Sequence, residues 1–226
     1  LVNSSQEVKD AYTYLVTNGA TILGQNPNIS ITAVNSANFT TYDQTYIYDP
    51  ETRNSVMTYE LTVKPTVTTG SYRWIASDMA TGATVLTSVA ISNGNIGFWY
   101  RGAPTTSNLI LTPITAGETY HVVIKFSEGN YVKIFIDGVL VKNVSQVGNS
   151  LSADAFNTGV VGNRGQPTAS EQFLGELSYF NIVHHAPTDQ QCIDLYQGSS
   201  DLATCFNSKP QWYKDNAVAS WNLGNT

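Results

Sequence analysis

From Gly117 to Val141 the chain reads GETYHVVIKFSEGNYVKIFIDGVLV, and no other stretch limits its possible folds as sharply. Tyr120, Val122, Ile124 and Phe126 alternate with His121, Val123 and Lys125. After a break, Val132, Ile134 and Ile136 alternate with Tyr131, Lys133, Phe135 and Asp137. A period of two built from β-branched and aromatic residues is the pattern of strands in stacked sheets. Glu128-Gly129-Asn130 and Asp137-Gly138 supply the reversals, because Gly and Asn enter positive φ at low cost.

The same reading extends in both directions. Val56 to Lys64 alternates and is stopped by Pro65. Ser71 to Ser77 and Ala83 to Ser92 are strands joined through Asp78 and Thr81-Gly82. Ile96 to Arg101 and Asn108 to Thr112 precede the hairpin, and Gly159 to Gly162 and Phe173 to Val183 follow it. Frequent short strands with turn residues between them mark a sandwich or jelly roll. Earlier, Val8, Ala11, Tyr12, Leu15 and Val16 form a helical stripe over residues 5–17, ended by Asn18-Gly19. Short strands are expected at Thr21 to Leu23 and Ile29 to Val34. Thr188 with Gln191 predicts a capped helix over Asp189 to Tyr196. The expected organisation is a helical segment over 1–20, a sandwich over 21–196 and a C-terminal extension over 197–226. Trp212, Tyr213 and Trp221 show little periodicity, so the extension is either a docked tail or a linker.

Composition removes several functions. Only 12% of the 226 residues are charged, about half the globular norm of about 25%. The formal net charge is −6, which disfavours nucleic acid, whose phosphates require clustered Lys and Arg. No apolar run reaches the roughly 20 residues of a membrane-spanning helix. Leu1-Val2-Asn3 does not read as a signal peptide, so a mature or trimmed chain is expected. Cys192 and Cys205 can form one disulfide, which would place the chain in an oxidising compartment. Sequons at Asn3, Asn28, Asn38 and Asn143 are compatible with a secreted glycoprotein.

Taken in order, Tyr120-His121-Val122, Ile134-Phe135-Ile136-Asp137-Gly138, Val161-Gly162, Phe173-Leu174-Gly175-Glu176-Leu177, Phe180-Asn181 and Leu195-Tyr196 form a recognisable series. It resembles the laminin-G-like, concanavalin-A-like jelly-roll superfamily, most clearly over Gly117 to Tyr196 and more weakly from residue 54. The resemblance implies an all-β jelly-roll sandwich, here with a short N-terminal helix and a short C-terminal helix plus tail. The superfamily includes lectins, adhesive modules, glycosidases, lyases and structural domains. Residues 1–50 and the tail after Tyr196 exceed a minimal module, and either segment can cover a sheet face.

The candidate chemistry follows from residue type and position. Tyr42, Tyr46 and Tyr48 are spaced to share one strand face, and Trp99-Tyr100-Arg101 closes a strand. Aromatic rings against sugar C–H faces, with polar side chains reaching hydroxyls, make these six the expected ligand-binding residues. Asp43, Asp49, Glu51 and Asp78 are expected in or beside loops and are the candidate Ca²⁺ ligands, since that ion takes oxygen donors. No transition-metal spacing of His or Cys occurs. Hydrolysis of a glycoside needs two carboxylates about 5 to 9 Å apart; Glu60 and Glu176 are the strand acids to examine, and Asp137 belongs to a turn. The expected function is therefore an extracellular or cell-surface recognition and adhesion module binding carbohydrate on an aromatic-rich sheet face or loop rim. The alternatives are a structural or protein–protein adhesion domain, and a lyase or hydrolase of the same fold.

Overall fold

Strands form where the period-two pattern predicts them. The computed structural model describes residues 38–39, 46–48, 56–70, 72–80, 84–100, 109–145, 158–162, 171–197 and 209–222. These hold β1 (Asn38–Phe39), β2 (Tyr46–Tyr48), β3 (Val56–Pro65), β4 (Arg73–Ala80), β5 (Thr84–Ser92), β6 (Asn95–Tyr100) and β7 (Leu109–Pro113). Next come β8 (Tyr120–Ser127), β9 (Tyr131–Ile136), β10 (Val139–Ser145), β11 (Thr158–Val161), β12 (Gly175–Val183), α1 (Asp189–Gln197), α2 (Gln211–Asn216) and β13 (Ala217–Asn222). One sheet runs β1-β12-β3-β8-β9-β10, with β13 also on β12; the other runs β2-β11-β4-β5-β6-β7.

The two sheets bury one interior. β3 sends Tyr59, Leu61 and Val63 inward, β8 sends Val122, Ile124 and Phe126, and β9 sends Val132 and Ile134. The second sheet answers with Ile75, Val89, Ile91, Ile96, Phe98 and Tyr100. Each such side chain contributes about 1.5 to 3 kcal/mol through apolar area removed from water. Two backbone details hold the register. Asp137 and Gly138 have φ of 50° and 74°, the paired left-handed values of a two-residue hairpin turn, and Asp137 Oδ1 accepts from the His121 N–H at 2.9 Å. At Gly97 a Cβ would lie 1.9 Å from the Ile110 carbonyl oxygen, so the β6–β7 pairing excludes any side chain there.

Several expectations are changed by packing. The hairpin is a three-stranded meander, because β10 continues to Ser145. β4 does not turn at Asp78 but carries on to Ala80, paired with β5 and β11. The tail adds α2 and a further strand, β13, with Ile182 opposite Ala219 and Phe180 opposite Trp221. The predicted capping box is present: Gln191 N–H donates to Thr188 Oγ1 at 3.1 Å and Thr188 N–H to Gln191 Oε1 at 2.7 Å. The helix over 5–17 and the strands at Thr21 to Leu23 and Ile29 to Val34 lie outside the described residues.

Candidate functional site

Tyr72 and Trp74 flank Arg73, so their side chains share one face at the start of β4. Ala90 stands opposite Trp74 in register, and Gly97 stands opposite Ala90. The small Ala90 side chain leaves space for a large ring on the outer face of the six-stranded sheet. Trp99 lies between the interior residues Phe98 and Tyr100 on β6 and so faces outward. Its ring meets Trp74 edge-on at 6.2 Å, and Tyr72 lies 5.3 Å from Trp74. Trp74 is buried and clamped, its Nε1–H donating to Glu171 Oε2 at 3.2 Å and its backbone bridging to Gln172. Trp99 is half-buried, and Tyr72 is 40% exposed. A fixed inner ring with two more accessible neighbours makes a rigid aromatic file. Arg73 alternates away from it and donates from Nη1 to the Gln172 carbonyl at 3.1 Å.

The opposite face of the molecule is closed. Glu60 points outward from β3, as the alternation predicts, but it is fully buried beneath the C-terminal segment. Lys209 Nζ donates to its Oε1 at 2.6 Å, His121 Nε2 lies 2.8 Å from the same oxygen, and Tyr213 Oη donates to Oε2 at 2.5 Å. Burial alone raises the carboxyl pKa; the Lys209 charge and the His121 hydrogen bond overcome this and hold it down at about 2. An ionised Glu60 can only accept, so His121 carries its proton on Nε2. His121 Nδ1 and Thr62 Oγ1 are buried without a hydrogen-bond partner among the described residues. Beside this hub, Val123, Phe135, Val183, Cys192, Leu195 and Tyr213 form a second apolar cluster under α1 and α2. Asp189, at the start of α1, takes Lys125 at 2.7 Å and Lys133 at 2.6 Å.

The expected site residues separate accordingly. Trp99 joins the aromatic file. Tyr100 does not: it is 4% exposed and lies between Phe98 and Phe126 in the interior, because its neighbour Trp99 takes the outward position. Asp78 is not a loop ligand. It is buried mid-strand, where its carboxylate accepts from Tyr59 Oη and from Thr87 Oγ1 at 2.7 Å, and burial followed by the Asp78 charge raises the Tyr59 pKa. Cys192 is buried, and burial pushes its thiol pKa up to about 12; the other half of the expected bridge lies outside the described residues. Register sets Tyr46 opposite Val161 and Tyr48 opposite Gly159. Tyr42, Arg101, Asp43, Asp49, Glu51 and Cys205 lie outside the described residues. Among the described residues no three His, Cys, Asp or Glu gather as a metal site. Glu60 and Glu176 form no acid pair: Glu60 stands opposite Asn181, and Glu176 stands opposite Lys64, with Oε1 3.8 Å from its Nζ. Tyr72 and Trp74 were missed, although their spacing at alternate positions was the available signal.

Comparison with known proteins agrees with this architecture. The family model of the concanavalin A-like lectin/glucanases superfamily matches residues 37–192. No curated protein sequence matches the chain. Among solved structures, the heptameric SAP-like pentraxin of Limulus polyphemus superposes with a TM-score of 0.56 at 18% identity, covering 78% of this chain and 85% of the pentraxin. A Bacteroides ovatus protein described as carbohydrate-binding gives 0.53 at 14% identity, with 78% of this chain and 48% of that one covered. The botulinum neurotoxin serotype D ligand-binding domain, in complex with N-acetylneuraminic acid, gives 0.56 at 14% identity, with coverage of 76% and 45%. This chain thus spans less than half of the latter two. With a family match over well more than half its length and two antiparallel sheets in the corresponding arrangement, the chain belongs to the concanavalin A-like lectin/glucanase superfamily.

Proposed function

We propose that this protein is an extracellular glycan-recognition module whose binding surface is the outer face of the six-stranded sheet. The aromatic file Tyr72–Trp74–Trp99 carries this reading: its inner ring, Trp74, is anchored by Glu171, Trp99 and Tyr72 pack against it, and Tyr72 is open to solvent. Pre-ordered rings stack on the C–H face of a pyranose with little loss of side-chain entropy. Two structural neighbours support the class of ligand, one described as carbohydrate-binding and one solved with N-acetylneuraminic acid. A neutral sugar suits this face better than an acidic one. Glu171 accepts from Trp74 Nε1–H, and the Arg73 guanidinium is engaged by the Gln172 carbonyl.

The test is a glycan array followed by calorimetry, each with millimolar Ca²⁺ and again with EDTA. Trp99→Ala and Tyr72→Ala should lower affinity for a neutral glycan at least tenfold while leaving the melting temperature within a few degrees. Blank arrays at high protein concentration, or binding untouched by both substitutions, would overturn the proposal. A loss with EDTA, accompanied by a lower melting temperature, would add calcium to the site. A structural role is the second reading, favoured by the closed outer face of the other sheet, where the tail covers Glu60.

A further inference from the structure

Five large hydrophobic side chains stand exposed among the described residues, and four of them gather at one edge of the seven-stranded sheet. On β10, Val139 is 61% exposed, Leu140 39% and Val141 40%; at the end of α1, Tyr196 is 42% exposed. Tyr196 belongs to the same edge, since a Cβ placed on Gly138 would come within 3.1 Å of its ring. Among the described residues, β10 is the last strand of its sheet and pairs only with β9. No strand among the described residues takes up the backbone donors and acceptors of its other side. Proteins commonly blunt such an edge with proline, with several charges or by shortening it. β10 runs seven residues, VLVKNVS, with no proline and one charge, and a bulge at Val141 is its one interruption.

The distribution of charge indicates what fits there. β8, β9 and β10 carry Lys125, Lys133 and Lys142 and no carboxylate, in a chain with 17 acidic residues against 11 basic ones. Asp189 takes up Lys125 and Lys133, whereas Lys142 is exposed and meets no carboxylate among the described residues. A second copy docking through its own β10 would set one lysine-bearing edge against another. A strand bearing carboxylates meets no such repulsion.

We infer that β10 is a strand-addition site for an extended peptide segment of another protein, one that alternates β-branched residues with carboxylates. Ladder hydrogen bonds hold the peptide, Leu140, Val141 and Tyr196 cover its apolar side chains, and Lys142, on the other face with Val139, pairs with an acid. This surface is separate from the aromatic file and does not depend on glycan binding.

Two fluorescein-labelled heptapeptides, Ser-Val-Glu-Val-Glu-Val-Ser and Ser-Val-Lys-Val-Lys-Val-Ser, test it by fluorescence anisotropy at low salt. The acidic peptide should bind at least tenfold more tightly, and Lys142→Glu should reverse that order. Val141→Asp should abolish binding of the acidic peptide without moving the melting temperature. Backbone amides of residues 139–145 should exchange more slowly in the complex. An acidic peptide that binds no better than the basic one overturns the inference, as does unchanged exchange along β10. A concentration-dependent dimer in sedimentation that disappears in Val141→Asp also overturns it and assigns the edge to a second copy.

Discussion

Replacing Lys209 by Met would leave the Glu60 carboxylate buried without its strongest counter-charge. A stranded buried charge destabilises by about 3 to 5 kcal/mol, so the urea midpoint of Lys209→Met should fall accordingly. The depressed Glu60 pKa also sets a pH window. Above the ordinary value of 4.5 its contribution is fully present, and it is lost as pH falls toward about 2. Wild-type stability should therefore drop across that interval, and Glu60→Gln should flatten that part of the profile when unfolding is followed by tryptophan fluorescence. Gly97→Ala is a steric prediction. The new methyl meets the Ile110 carbonyl oxygen at 1.9 Å, so β6 and β7 must separate and the melting temperature should fall well beyond the few degrees of a surface change. Alternation alone places Glu60 on the outward side of β3. It cannot reveal the partner, because Lys209 is 149 positions away in sequence.

Secondary structure divides by how local its signal is. The α1 cap was legible, since Thr188 and Gln191 are three apart and satisfy each other's neighbouring N–H groups. Thr188→Ala should cost about 1 kcal/mol, read as a lower denaturation midpoint with α1 amides exchanging faster. The long strands were legible for the same reason: one period covers five or more residues. β13 was not, because Ala217–Asn222 has little pattern of its own and becomes a strand by pairing with β12. The aromatic file was half legible. Trp99 stood out beside a loop, whereas Tyr72 and Trp74 were read only as strand residues. Their roles should separate on substitution: Trp74→Ala should lower stability by about 3 to 5 kcal/mol, while Tyr72→Ala should leave the denaturation midpoint nearly unchanged.

Across the assembled protein, the C-terminal segment links both layers of organisation. It extends one sheet through β13, and it seals the second apolar cluster through Tyr213. Cys192 lies within that seal, fully buried, with its thiol pKa pushed up to about 12 by burial. A disulfide reagent reacts with thiolate, so in a Cys205→Ser background Cys192 should label at least a thousandfold more slowly in native buffer than in urea. Native labelling at the denatured rate would mean that α1 and α2 do not shield it.

Short-range pattern was enough to identify an all-β sandwich, place most strands, cap α1 and assign inward and outward positions along β3, β8 and β9. That succeeded because strand periodicity and capping depend on residues only a few positions apart. Folding settled which outward positions meet solvent and which are covered. It turned Tyr100 into the interior beside an outward Trp99, enclosed Asp78 with Tyr59 and Thr87, and brought Lys209 onto Glu60. Those outcomes depend on sheet order and on where the tail returns, and contacts between separate segments, 149 positions apart for Lys209 and Glu60, leave no local trace in the chain.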